Sequence, residues 1–249
     1  MLHLVMDPED RQGDLLEIRG SKVNHIRNVL RLHVGEEISV RYGEDDREYR
    51  YGIESMNEEV VLCRLRFIKE SKVELPVKVY LFQGLPKADK MDFIVQKAVE
   101  LGAFCIIPVN CKRSIVKLDE EKARKKTARW QQIAESAASQ SRRALIPEVR
   151  LPMNMQDAVA LAKQETDCRF IPYELQENDC STKEVFEGIK DHAKALSIFI
   201  GPEGGFEKEE IEEAKAAGIQ PISLGRRILR TETAGMVVLS WLIYCLEIN

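Results

Sequence analysis

The hydrophobic rhythm of this chain changes once, near residue 70, and that change limits what it can fold into. From Met1 to about Glu70, apolar and polar residues alternate over short stretches, as in EEISVRY (36–42), YRYGIESM (49–56) and VVLCRLRFI (60–68), with charged turns such as GEDDRE (43–48) between them. A side-chain period of two is the mark of antiparallel strands with one face on a core. One helical insert is predicted at Ser21 to Leu32, where Val23, Ile26, Val29 and Leu30 recur at helical spacing and cations fall between them. The segment KESKVELP (69–76) then interrupts the pattern with charge and proline. Together these features predict a small β-rich domain over residues 1–71 and a second domain over residues 72–249.

Beyond the boundary, apolar strands alternate with longer helices, the pattern of an α/β domain with a largely parallel sheet. VKVYLFQGL (77–85) is the first strand. Asp89 to Leu101 puts Met91, Ile94, Val95, Ala98 and Leu101 on one face and stops at Gly102, a suitable C-terminal cap. FCIIPV (104–109), a long helix from about Asp119 to Ser141, a strand near IPEVRL (146–151), a helix near Met155 to Lys163 and the strand CRFIPYE (168–174) follow. In open α/β sheets a ligand lies beyond the carboxyl ends of the strands, so the turns there are where chemistry is expected.

A chain of 249 residues, 44% of them apolar, can bury a sizeable core. Its six cysteines include no C-x-x-C pair and read as free thiols of a reducing cytoplasm, not as a zinc ribbon or disulfide scaffold. The four histidines fall in no metal-ligand pattern, so no metal is expected. The N-terminus lacks a basic start and an apolar run, which argues for a cytoplasmic protein. Met236 to Leu246 is too short to cross a bilayer and is expected to be a buried helix. The net charge of −4 speaks against nucleic acid as a partner, yet Ile18 to Val34 holds four cations and no acids, and Cys111 to Arg143 holds ten cations against four acids. Charge runs of this kind are more often solvated helix faces, and charge alone does not decide.

Two polar turns are singled out. Gly201-Pro202-Glu203-Gly204-Gly205 joins the apolar strand Ile198–Ile200 to a helix over Glu207 to Ala217. Three glycines in five residues admit a closely approaching ligand, though a plain strand-to-helix turn uses them too. There is no G-x-G-x-x-G fingerprint, and Glu203, Glu207, Glu209 and Glu210 would repel a pyrophosphate, so a cationic sulfonium suits the loop better. The second turn, ISLGRRILRTETA (222–234), leads from a short strand into the apolar C-terminal helix. Thr231 and Thr233 fit a ligand or helix caps, and Glu232 fits a reactive carboxylate or a favourable charge at a helix N-terminus.

The pairing of IGPEGGF (200–206) with LGRRILRTETA (224–234) resembles the 16S ribosomal RNA uridine N3-methyltransferase (RsmE) family of the SPOUT superfamily. FQGLPKADKM (82–91), QKAVELG (96–102), RWQQIA (129–134), QS (140–141) and HIRNVLRL (25–32) match its pattern in the same order, so the resemblance spans nearly the whole chain. It implies a small PUA-like β-barrel for RNA, an α/β domain with a deep trefoil knot that binds S-adenosylmethionine, and a homodimer with the active site near the subunit interface. The implied substrate is a uridine of 16S ribosomal RNA in the 30S subunit. By position, Ile200, Gly201, Pro202, Gly204 and Gly205, with Leu224, Gly225, Ile228 and Leu229, would wrap the cofactor, and Tyr173-Glu174 would supply a third loop. Arg230, Thr231, Glu232 and Thr233 would face the methyl group and the base, with Thr231, Thr233 and Ala234 also counted among the cofactor-binding residues. Arg230 is the candidate charge stabiliser, and Glu232 either accepts a proton or serves as an ion-pair carboxylate. Arg19, Lys22, His25, Arg27 and Arg31 of the small domain and Lys112, Arg113, Arg129, Arg142 and Arg143 of the larger one would bind RNA. Arg226, Glu207, Ser136 and Ser139 depart from the family, which has proline, serine or threonine, and glutamates there. A noncatalytic ribosome-assembly factor and a sibling enzyme acting on another RNA position are the alternatives; a dehydrogenase lacks its phosphate fingerprint.

Overall fold

The computed structural model describes residues 2–42, 45, 47–70, 73–173 and 182–248. The chain divides into two compact units, Met1–Glu74 with Ala138–Ile146, and Leu75–Ala137 with Pro147–Asn249.

The first unit is a six-stranded sheet of β1 (Leu2–Val5), β2 (Arg11–Gln12), β3 (Leu15–Arg19), β4 (Glu37–Arg41), β5 (Arg47–Met56) and β6 (Val60–Glu70), in the order β1-β4-β5-β6-β3-β2. All pairs are antiparallel except β1 with β4. The alternation read from the sequence sends Leu16, Ile18, Ile38, Val40, Tyr51, Ile53, Val61 and Cys63 into one core. Two register shifts in the β5–β6 pair, at Arg50/Tyr51 and Ile53/Ser55, bend the long strands.

The predicted insert begins as α1 (Ser21–Asn24) and continues as a π-helical stretch over His25–Val29, closed by Leu30 N–H donating to the His25 carbonyl at 2.9 Å. The wider turn shifts the helix phase. Val23 and Ile26 are buried as expected, but Val29 and Leu30 turn out to solvent.

Residues 138–146 belong to this unit although they follow the stretch Leu75–Ala137 of the second in sequence, a return that a single boundary near residue 71 makes no provision for. Glu74 holds them there. Its carboxylate accepts from the Arg143 guanidinium at 2.5 Å and from the backbone amides of Ala144 and Leu145.

The second unit is built on a parallel sheet of β7 (Lys78–Gly84), β8 (Cys105–Asn110), β9 (Glu148–Val149), β10 (Met153–Asn154), β11 (Cys168–Pro172), β12 (Ala195–Ile200) and β13 (Gln220–Ile222). Its order is β10-β8-β7-β12-β11-β13, with β9 on β8. The helices are α2 (Lys90–Glu100), α3 (Glu120–Ser141, whose last turn falls in the first unit), α4 (Met155–Glu165), α5 (Thr182–His192), α6 (Lys208–Ala216) and α7 (Thr231–Ile243). The central strands are apolar on both faces because helices cover both sides. Gly102 ends α2 at φ +88°, with Ala103 N–H bonded to the Ala98 carbonyl and Gly102 N–H to the Val99 carbonyl, which satisfies two carbonyls of the last turn.

β12 enters the sheet between β7 and β11, so two strands more than a hundred residues apart lie side by side. Phe82 of β7 and Phe199 of β12 stack at 4.4 Å between ring centroids, both fully buried. α7 differs from the buried helix expected. Gly235, Val238, Leu239 and Leu242 are buried, whereas Met236, Val237, Trp241 and Ile243 are only half-buried. Thr231–Ile248 is long and apolar enough by composition to cross a membrane, but a third of it is packed inside this unit.

Truncating Phe82 to alanine removes one side of the β7–β12 stack and leaves a cavity in a close-packed core. Loss of about 3–5 kcal/mol of stability is expected in urea unfolding of the variant; an unchanged midpoint would mean that this pair does not anchor the sheet.

Candidate active site

The carboxyl ends of β7 and β12 point the same way, and their loops meet there. A Cβ on Gly84 would lie 2.6 Å from the nitrogen and Cδ of Pro202, so the last residue of β7 must be glycine for the Gly201–Gly205 turn to pass. Gly205 adopts φ +68° and donates to the Pro202 carbonyl at 2.9 Å, folding the turn back on itself.

Two cations brace this turn, and a third holds the helix that follows it. Arg113, just after β8, donates to the Gly204 carbonyl at 3.0 Å and pairs with Glu207 at 2.9 Å. Lys90, in the first turn of α2, reaches Glu203 at 3.1 Å, and Glu203 also accepts from the Lys87 amide. Burial opposes ionisation of Glu203, but hydrogen bonds from its own amide, from Lys90 and from the Lys87 amide outweigh it and hold the carboxyl below its ordinary range. The third, Lys112, lies 3.6 Å from Glu209 in α6 and donates its amide to the buried Glu210. Glu207, a departure from the family pattern, is the N-cap of α6, and Glu210 accepts from its amide at 2.8 Å in a capping box.

The second turn follows β13. Ser223 N–H donates to Thr182 Oγ1 at 2.9 Å, Gly225 stands at φ +93°, and the chain then runs exposed to Arg230, the N-cap of α7. Thr231 does not cap the helix. Buried in its first turn, it donates from Oγ1 to the Gly201 carbonyl at 2.6 Å and accepts from Gln83 Nε2 at 2.8 Å. One hydroxyl therefore joins the start of the glycine-rich turn, the end of the second turn and the end of β7. Glu232 lies 3.2 Å from the same Lys90 ammonium that holds Glu203. The hydrogen bond to Glu203 is the main reason that ammonium is held above its ordinary value.

Most of the expected cofactor residues are gathered on these two turns. Ile200 and Pro202 are buried, and Gly201, Gly205, Leu224, Leu229, Thr233 and Ala234 are half-buried. Gly204, Gly225 and Arg230 are exposed, and Ile228 is 94% exposed. A Cβ on Gly205 or Gly225 would meet nothing within 4 Å, so both backbones border open space. Tyr173, at the end of β11, donates its amide to the Ile222 carbonyl at 3.0 Å, and Glu174 lies outside the described residues. Sequence reasoning gave no role to Gln83, Lys87 or Lys90; only their place in the FQGLPKADKM segment singled them out.

The chemistry of this donor set suits a positively charged ligand. Two carboxylates, Glu203 and Glu232, share one ammonium, and no phosphate cradle is present in either turn. Burial pushes the Cys63, Cys105 and Cys111 thiols up to about 12, which removes them as nucleophiles.

Residues 73–243 match the model of an RNA methyltransferase domain, and residues 18–66 match that of an RNA methyltransferase PUA domain. The ribosomal RNA small subunit methyltransferase E of Bacillus subtilis is 37% identical over 95% of this chain and 93% of its own length. The chain belongs to this family. Its namesake from Aquifex aeolicus is 32% identical over 93% of this chain and 95% of its own. A crystal structure of the Neisseria gonorrhoeae family member bound to S-adenosyl methionine superposes with a TM-score of 0.84, at 28% identity and covering 99% of this chain and 98% of that one. The fold is accordingly the family's, with a PUA-like N-terminal domain and a C-terminal α/β domain built on a parallel sheet.

The cations expected to bind RNA differ in what they already hold. Arg143 is corrected: it is 3% exposed and its guanidinium is held by Glu74, so no phosphate reaches it. Arg113 braces the glycine-rich turn, Lys112 pairs with Glu209 of α6, and Arg129 pairs with Asp92 at 2.6 Å while most of its side chain stays exposed. In the first unit Lys22, His25 and Arg31 are exposed, Arg27 is half-buried, and Arg19 pairs with Glu17 at 2.7 Å. Arg142 is exposed at φ 62° just past the end of α3.

Replacing Thr231 by valine leaves the Gly201 carbonyl and Gln83 Nε2 without this partner inside the protein. The expected cost is about 1–3 kcal/mol in thermal or urea unfolding, with serine at the same position restoring most of it. Equal stability of the valine and wild-type proteins would show that the two turns are not joined through this hydroxyl.

Proposed function

We propose that this protein methylates N3 of one uridine of 16S ribosomal RNA, in the assembled 30S subunit, with S-adenosylmethionine as donor. It is an S-adenosylmethionine-dependent ribosomal RNA methyltransferase. The observation that carries the site assignment is the Thr231–Gly201 hydrogen bond, which joins the two family turns beside the carboxylates of Glu203 and Glu232.

In this reading Ile200, Gly201, Pro202, Gly204 and Gly205, with Leu224, Gly225, Ile228 and Leu229, hold the cofactor largely through backbone groups, with Tyr173 and Glu174 beside them. When bound, S-adenosylmethionine supplies a methyl group on a sulfonium. The N3 proton would be lost to solvent, and the sulfonium–methyl bond would break as the N3–methyl bond forms, the donor leaving as a neutral thioether; in between, negative charge develops on the ring carbonyl oxygens. Arg230, exposed at the N-cap of α7, stabilises that charge. Glu232 is paired with Lys90 at 3.2 Å, which supports its reading as an ion-pair carboxylate. Orientation of base and donor then supplies much of the rate.

RNA phosphates are held by Arg19, Lys22, His25, Arg27 and Arg31 of a domain over residues 1–71, and by Arg129 and Arg142. Phosphate contacts set register, and the base is read after it turns out of its stack. The strand order, with β12 between β7 and β11 and α7 returning after β13, supports the trefoil knot of the SPOUT superfamily. The half-buried apolar residues Met236, Val237, Trp241 and Ile243 of α7 support a homodimer, and a ribosomal substrate supports a cytoplasmic site of action.

Small-subunit particles lacking the modification, incubated with enzyme and labelled cofactor, are expected to yield 3-methyluridine by nucleoside mass spectrometry; a different methylated nucleoside would overturn the N3 assignment. Arg230→Ala is expected to lower single-turnover methylation by about 100-fold or more while cofactor affinity measured by calorimetry stays close to wild type. Unchanged turnover would remove Arg230 from the chemistry.

A further inference from the structure

Lys90 has no counterpart among the residues assigned above, yet its ammonium is where both turns converge. It stands in the first turn of α2, on the segment that leaves β7. From there Nζ lies 3.1 Å from Glu203 of the glycine-rich turn and 3.2 Å from Glu232 of α7. Its side chain is about one-third exposed, so the group sits at the edge of the site and not in a sealed core. Glu203 is further fixed by the Lys87 amide at 3.2 Å, three residues before Lys90, so the same short segment grips that carboxylate twice.

We propose that Lys90 is a positioning residue of the methyltransferase: it holds Glu203 and Glu232 at a fixed separation and so sets the width of the cradle between the two turns. The proposal rests on the cradle reading above. Without the ammonium, two carboxylates drawn to one point repel each other, and the turns carrying them move apart. Thr231 ties the turns at their base, at Gly201; Lys90 ties them at the side chains of the residues two positions beyond Gly201 and one beyond Thr231. Two ties hold an angle that one tie leaves free. This geometry gives Glu232 a place in the site without asking it to act as a base. It also leaves one carboxylate charge in excess of the ammonium, on the side of the cradle where a sulfonium donor is favoured.

The test uses the full-length protein. Lys90→Met keeps the length of the side chain and removes its charge, and it is expected to raise the KM and the calorimetric Kd for S-adenosylmethionine about tenfold, with the KM for small-subunit particles changed by less than about twofold. Lys90→Arg, which can still donate to both carboxylates, is expected to return cofactor affinity to within about threefold of wild type. Glu203→Gln breaks the same bridge from the other side and provides a second reading if Lys90→Met folds poorly by circular dichroism; the double variant is expected to bind cofactor no more weakly than the worse single variant. Wild-type cofactor affinity in both Lys90→Met and Glu203→Gln, or a loss in Lys90→Met that arginine does not relieve, overturns the proposal. Gly225→Ala strains the second turn at its positive φ and separates the two levels of failure. If it weakens cofactor binding and the Lys90 variants do not, the role of Lys90 fails alone. If it too leaves binding untouched, the cradle reading fails and the role of Lys90 falls with it.

Discussion

Thr231 spends one hydroxyl on two partners, the carbonyl of Gly201 and the amide of Gln83, and the arrangement of the second unit turns on that geometry. Gln83 lies near the end of β7, Gly201 just past β12 and Thr231 at the start of α7, so three segments far apart in the chain converge on a few atoms. The convergence requires β12 to lie beside β7, because only neighbouring parallel strands release their loops at the same end and the same height. It also requires Gly84, since any side chain there would collide with Pro202. The stacked Phe82 and Phe199, two residues and one residue inside their strand ends, hold the two strands in that register from below.

Around this neutral hydrogen-bonded centre the charged groups are arranged by what each turn lacks. The glycine-rich turn has few side chains with which to hold its own shape, and the neighbours supply them: Arg113 on the Gly204 carbonyl, Lys87 and Lys90 on Glu203, and Glu210 on the amide that opens α6. A flexible loop is thereby kept in one conformation without filling the space beside it, which is what a binding turn must achieve. The chain's net negative charge is compatible with an RNA substrate because its cations are unevenly committed. Lys122, Arg124 and Lys125 pair with acids on their own helix or just before it, and Arg143 is buried on Glu74. Lys22, Arg31 and Arg142 remain exposed.

Several of these features were legible in the residues. The period-two alternation of residues 1–70 correctly announced a sheet with one apolar face, and Gly102 marked the end of α2 because a left-handed residue is needed there. The two turns were visible as motifs, and their chemistry could be read from three glycines and an absence of phosphate-binding pattern. The phase of the insert after Ser21 was not legible, because a π-helical turn changes the spacing that periodicity assumes, and Val29 and Leu30 emerge on the outer side. Nor was the fate of Arg143, since a cation in a basic tract looks the same whether it faces solvent or a buried glutamate.

The sequence by itself determined much of what depends on neighbours along the chain: most of the strands and helices, the stop of α2 at Gly102, and which turns carry the glycines and the charges. Only the tertiary structure decided which distant groups meet, namely the place of β12 between β7 and β11, the return of residues 138–146 to the first unit, and the sharing of Lys90 by two carboxylates. The physical reason is that local conformation follows from propensity and spacing over a few residues, whereas strand order and ion pairing follow from which apolar faces can be buried together, a property of the whole packed core and of no single stretch of it.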